Sequence, residues 1–175
     1  MKRPSCKRRH WQMVPATSAL FLAVLLSCVP GLVAAAGTGS QAKQHNDKGV
    51  GHFEAAYYQH VPKGNDAEAV REYALAASEF EDAIKEDPEF SDPHRNLARL
   101  RFIEKKFADA AREYGKVTEL DPFDLDAYVN LALAHVELKN YQAAIDALRQ
   151  AKLYTSDDKA RATLDGYIEK VRRLQ

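Results

Sequence analysis

Few side chains here are able to do chemistry, and their spacing serves none of the common reactions. Beyond the first 36 residues the histidines are His45, His52, His60, His94 and His135. They do not form the H-E-x-x-H pattern that sets two imidazoles and a carboxylate around zinc. His52 and His60 lie near Glu54 and could share a metal if that segment folds back. The plainer reading of each lone helical histidine is a structural one. Glu79 with Asp82, and Glu86 with Asp87, read as wet helix faces rather than an acid–base pair. Both cysteines, Cys6 and Cys28, precede residue 37, so the remainder offers neither a thiol nucleophile nor a disulfide. No G-x-S-x-G and no glycine-rich phosphate loop occurs. The chain is expected to bind rather than catalyse, with no cofactor and no metal.

What does recur is a spacing. Asp87-Pro88 returns as Asp121-Pro122, 34 residues on, and the same step links Ala76, Ala110 and Ala144, then Tyr73, Phe107 and Tyr141, then Phe80, Tyr114 and Leu148. Asn96-Leu97-Ala98 returns as Asn130-Leu131-Ala132. A period of this length, with small residues in one slot and large ones in others, marks stacked helix-turn-helix units.

The first 36 residues read separately. Lys2, Arg3, Lys7, Arg8 and Arg9 precede an apolar run from Ala19 to Leu26, a break at Pro30-Gly31 and the small residues Ala34-Ala35-Ala36. Basic, apolar, then small is the order of a secretory signal peptide, with cleavage after Ala36. Two alternatives stay open. Leu25-Leu26-Ser27-Cys28 resembles a lipobox, in which Cys28 would be lipidated and tether the protein to a membrane. The stretch from Ala16 to Ala36 is also close to the ~20 residues that span a bilayer, although Pro30 and Gly31 interrupt it. Each reading places the protein outside the cytoplasm, free in the periplasm or envelope or anchored there. The whole chain carries 25 basic and 25 acidic residues. The leader holds five bases and no acid, so the remainder is mildly acidic, which argues against nucleic acid as a partner.

The stretch 37–49 is polar and lacks an apolar period, so it is expected to be a flexible linker. A short helix is expected over Gly51 to His60, ended by Pro62 to Asn65. Asp66 then opens a longer helix to about Glu86 that buries Val70, Tyr73, Ala76, Ala77, Phe80 and Ala83. Units are expected over 50–90, 91–124 and 125–158. A terminal helix over 159–175 is capped by Ser156 and Asp157 and buries Ala162, Leu164, Tyr167, Ile168, Val171 and Leu174.

These residues resemble the tetratricopeptide repeat family over about residues 70 to 154. Its second helices carry a small residue, a large one four later, a small one three later and then a proline. Here those are Ala76, Phe80, Ala83 and Pro88; Ala110, Tyr114, Val117 and Pro122; and Ala144, Leu148 and Ala151. The resemblance implies an all-α solenoid of about three units, 50–158, closed by a C-terminal capping helix. Small residues let the two helices of a unit cross closely and large ones fill the gap to the next. Asp-Pro stops the second helices of the first two units, while Thr155-Ser156-Asp157-Asp158 replaces it in the third.

The resemblance also implies a concave face lined by first helices, so the protein is expected to be an adaptor or scaffold that holds a protein or peptide partner. Residues on that face not needed for the core are Arg95, Asn96, Arg99 and Phe102 in one unit and Val129, Asn130, Leu133 and Val136 in the next. They suggest polar donors at one end of a groove and an apolar floor at the other. The bland alternative makes the arginines solvated and packs the valines against the terminal helix. Some members of the family grip an acidic peptide C-terminus with lysine and asparagine on consecutive first helices. Arg95, Arg99 and Asn130 fall on comparable positions, while the next first helix offers only Ala160 and Leu164. A further reading makes the chain a membrane-tethered assembly factor whose groove is incidental.

Overall fold

The computed structural model describes residues 30–175, with side chains from residue 39, and Ala35–Gln175 forms one compact unit. The expectations for residues 1–29, including lipidation at Cys28, fall outside the described residues. Seven α-helices follow one another: α1 (Pro30–Glu54), α2 (Asp66–Glu86), α3 (Ser91–Ile103), α4 (Phe107–Leu120), α5 (Leu125–Glu137), α6 (Tyr141–Leu153) and α7 (Asp158–Arg172). Between α1 and α2 the chain widens into a π-helical turn, Ala55–His60, and then tightens into a 3-10 turn, Val61–Lys63. From α2 to α7 each helix packs on its sequence neighbours, and α1 is tied to α2 by side-chain contacts, which makes the stack a solenoid. No strand occurs among the described residues.

The small-residue slot does what its spacing requires. Ala76, Ala110 and Ala144 have no exposed surface, and Phe80, Tyr114 and Leu148 are buried beside them. Ala98, Ala110, Tyr114 and Ala134 form the central core cluster, flanked by one around Phe80 and another around Leu148. The turns after α3 and α5 share a device with the same period. Lys105 and Lys139 both take left-handed backbone, φ 60°. The amides of Lys106 and Asn140 reach back to the carbonyls of Arg101 and His135, each at 2.8 Å. This is the six-to-one closure that ends helices, here with lysine where glycine is usual. Asp124 caps α5 by accepting from the Ala127 amide at 3.0 Å, and Asp157 caps α7 by accepting from Lys159 at 2.8 Å.

Four expectations change. The stretch 37–49 is not a linker but the body of α1, which packs on α2. The first helix does not start at Gly51, so the first unit begins before residue 50, and α1 supplies the helix that the Pro62 turn was expected to break. The long second helix buries Ala69 in place of Val70, which is 66% exposed. On α7 only Leu164, Ile168 and Val171 are buried, while Tyr167 and Leu174 reach solvent and Ala162 is exposed.

Buried residues of α1 and of the π-helical turn after it explain the first difference. Ala42, Asn46, Gly49, Phe53 and Ala56 are buried at alternating steps of four and three, a complete helical stripe made mostly of small or polar side chains. His45 and His52 hold its flank to α2, their Nδ1 atoms 2.7 Å from Glu79 and Glu72. His94 on α3 pairs likewise with Glu113 on α4 at 2.8 Å.

Candidate concave binding face

Local packing decides which side chains on the first helices remain available. Arg95 does not. Its Nε and Nη2 donate to Asp124 at 3.0 and 2.8 Å, and its Nη1 donates to Asp92 at 2.6 Å. Burial opposes its charge, but those bonds outweigh it and raise its pKa. Because Asp124 also caps α5, Arg95 is a joint between α3 and the start of the next unit. Asn96 is committed as well, its Nδ2 donating at 2.9 Å to Oδ1 of the buried Asn46 on α1. Phe102 meets the Phe107 ring at 5.2 Å and packs on the central cluster, so it is core rather than binding surface. Asn130 is half-buried on α5.

Arg99 differs from Arg95. It is exposed, has no acidic partner among the described residues, and lies with its guanidinium carbon 4.9 Å from the centroid of Phe53 and 6.0 Å from that of Tyr57. The aromatic faces fix a cation at the groove without neutralising it. A small cavity of about 70 Å³ opens there between α1 and α3. Phe53 and Tyr57, at the end of α1 and in the π-helical turn, show in the sequence as part of the helical spacing of Gly51 to His60, but the 34-residue period does not extend to them and so gives them no place on the binding face.

The apolar end is larger. Val129, Leu133 and Val136 on α5 face Tyr167 and Val171 on α7, and Leu174 just after it, across a cavity of about 290 Å³, with Lys170 at its rim. Val129 and Val136 are half-buried against the C-terminal cluster, as the bland reading holds, yet they also line this cavity. Leu133 stays 48% exposed and Tyr167 37%. The eight predicted residues therefore form no single patch. They divide into a polar site around Arg99, structural joints at Arg95, Asn96 and Phe102, an apolar trough at Val129, Leu133 and Val136 on α5 that α7 completes, and the half-buried Asn130, which lines neither cavity. Arg99, Leu133 and Tyr167 are themselves 34 residues apart, a row of exposed side chains on three consecutive first helices. That spacing could have revealed Tyr167.

The histidines do not converge. His52 is taken by Glu72, and no group of three metal-ligating side chains comes together among the described residues. His135 on α5 has a buried Nδ1 without a partner, and burial pushes its pKa down. A hydrogen bond with His94 leads the effects that outweigh burial and hold Glu113 below the usual carboxylate range. Burial pushes the Tyr114 phenol up to about 12, despite the opposing pull of Arg99 and Arg95. These groups sit within helix joints rather than converging on one cavity.

The repeat geometry agrees with sequence comparison. A tetratricopeptide repeat profile matches residues 61–117 and 104–161, together more than half of the chain. The chain belongs to the tetratricopeptide repeat family. Over 55 residues it is 33% identical to the Hsp70-Hsp90 organising protein of Plasmodium falciparum (isolate 3D7), a match covering 31% of this chain and only 10% of that relative. Its fold is similar to the TPR2B domain of yeast Sti1 in a pHsp70 complex, with 19% identity, 78% of this chain and 99% of that one covered, and a TM-score of 0.60. It is also similar to the first TPR of Spaghetti (RPAP3) bound to the HSP90 peptide SRMEEVD, with 17% identity, coverage of 78% and 94%, and a TM-score of 0.59. Identities this low establish the shared solenoid alone.

Proposed function

We propose that this tetratricopeptide repeat protein is an adaptor or scaffold that holds a protein or peptide partner on its concave face, and that it works in the cell envelope after export. The observation that carries the first part is the row Arg99, Leu133 and Tyr167. An array that needed these positions only for stacking would bury them, as it buries the alanines of the repeated slot. Instead each reaches solvent, flanked by a cavity. Two similar solved domains are complexed with pHsp70 and with an HSP90 peptide, which supports the same class of ligand here, a segment of another protein. A carboxylate clamp at Arg95 is less well supported, since Asp92 and Asp124 already occupy that guanidinium.

A photo-crosslinking side chain placed at position 99 or 133, and separately at 146 or 150 on α6, tests the face in cells that make the protein. Adducts are expected from the first pair. Adducts from α6 alone would move the interaction to the second-helix side and sink the proposal.

Export rests on the order of charges and apolar residues in the leader. Cleavage before Cys28 would leave α1 whole, and cleavage after Ala36 would remove its first turns. The first buried side chain among the described residues is Ala42, which both cleavages retain. No helix among the described residues is long and apolar enough to cross a membrane. The mass of the mature N-terminus decides: a chain starting at a lipidated Cys28 is expected for the tethered form and one starting at Gly37 for the free form. An unprocessed Met1, with the tryptophan emission of Trp11, would reject both cleavages.

A further inference from the structure

We propose that the trough between α5 and α7 receives an amphipathic helix of the partner, about two turns long, whose apolar stripe seats against Leu133 and Tyr167 and whose flanking acidic residue meets Lys170. This deepens the concave-face reading and rests on it.

The walls set the length. Val129, Leu133 and Val136 lie at i, i+4 and i+7 on α5, and Tyr167 and Val171 on α7 with Leu174 in the turn that follows repeat that sequence spacing. Seven residues of helix rise about 10 Å, which two turns of a third helix match, and such grooves are read by anchors at these same intervals. The lining chooses the conformation. Apart from Lys170 and the Tyr167 hydroxyl it is carbon, so an extended peptide laid along it would bury most of its backbone N–H and C=O groups with nothing to bond. A helix satisfies its own backbone and presents only side chains. Leu174 is 53% exposed at the far end, so the apolar surface continues beyond the cavity and leaves the helix room to lie lengthwise.

The rim sets the charge. Lys170 has no acidic partner among the described residues, although Arg172 on the same turn pairs with Glu169 and Lys152 with Asp165. Its Nζ is 5.5 Å from the Tyr167 ring centroid, which keeps the ammonium over the trough. A cation left uncompensated beside an apolar cavity complements a carboxylate next to an apolar anchor, and repels a basic helix.

The test uses the full chain and three synthetic 14-residue peptides: a hydrocarbon-stapled helix with leucines at i, i+4 and i+7 flanked by glutamate, its twin with lysine for glutamate, and a proline-interrupted twin. Fluorescence polarisation is expected to show the glutamate helix binding at least tenfold more tightly than either twin, with amide NMR shifts centred on Leu133, Tyr167 and Leu174. Lys170→Glu is expected to invert the preference in favour of the lysine helix, and Leu133→Asp to abolish binding of both, with unchanged melting curves. Equal binding of the proline twin overturns the helical occupant. A preference that survives Lys170→Glu overturns the charge contact, and no binding by any peptide overturns the trough as a site. None of these failures would touch a partner crosslinked at position 99, so the broader reading stands or falls separately.

Discussion

Ala110→Leu should lower the stability of the array by about 1–3 kcal/mol, the usual cost of forcing extra methylenes into a packed core. Ala110 has no exposed surface and packs in one cluster with Ala98, Tyr114 and Ala134 from α3, α4 and α5. The three elements meet there, so no single side chain can turn aside to make room. Ala108, two residues earlier, is exposed on α4, and Ala108→Leu should fall within about 0.5 kcal/mol of wild type. Because contacts between neighbouring units carry a solenoid, the loss at Ala110 should also weaken hydrogen-exchange protection in α3 and α5. Indistinguishable urea midpoints for the two variants would refute the register that puts Ala76, Ala110 and Ala144 in one slot.

That slot was legible because it is built from contrast. Alanine alternating with Phe80, Tyr114 and Leu148 at a fixed step cannot be mistaken for a solvated face, and the two Asp-Pro pairs mark where α2 and α4 end. Helix α1 lacks every such signal. Its buried stripe is Ala42, Asn46, Gly49, Phe53 and Ala56, in which only Phe53 is a large hydrophobe, so composition argues for a tether although the spacing is helical throughout. The two lysines at φ 60° were hidden for a similar reason: glycine announces a left-handed closure and Lys105 and Lys139 do not.

The binding face was legible only in part, because a sequence shows which residues point inward along a first helix but not which neighbours claim them. Arg95 and Arg99 occupy one face of α3 and look equivalent in the sequence. Asp124, from the next unit, takes Arg95, while Phe53 and Tyr57, from the previous one, sit under Arg99 and leave its charge free. Phe102 is claimed by Phe107 across a turn. The trough escapes notice for the opposite reason. Its second wall is α7, whose Tyr167 and Leu174 helical spacing alone assigns to the core, whereas the stack buries only the side of α7 that carries Leu164, Ile168 and Val171.

Gly49 offers the sharpest check on α1. A Cβ built there would lie 2.6 Å from Cε1 and 2.7 Å from Cδ1 of Phe80, and the Phe80 ring, 1% exposed, is walled in by its own cluster and cannot retreat. Glycine is present for the close approach, not for its backbone freedom. Gly49→Ala should therefore cost about 1–3 kcal/mol through overpacking. Gly51, two residues on, has nothing within 4 Å of the same built atom. Gly51→Ala should stabilise by up to about 1 kcal/mol, the gain from replacing glycine by alanine inside a helix. Opposite signs from one substitution type two residues apart demand both that 49–51 is helical and that one side of that helix rests on Phe80. A flexible tether would leave both variants at the wild-type midpoint in urea, and that outcome would remove α1, and with it the aromatic bed of Arg99, from the binding face.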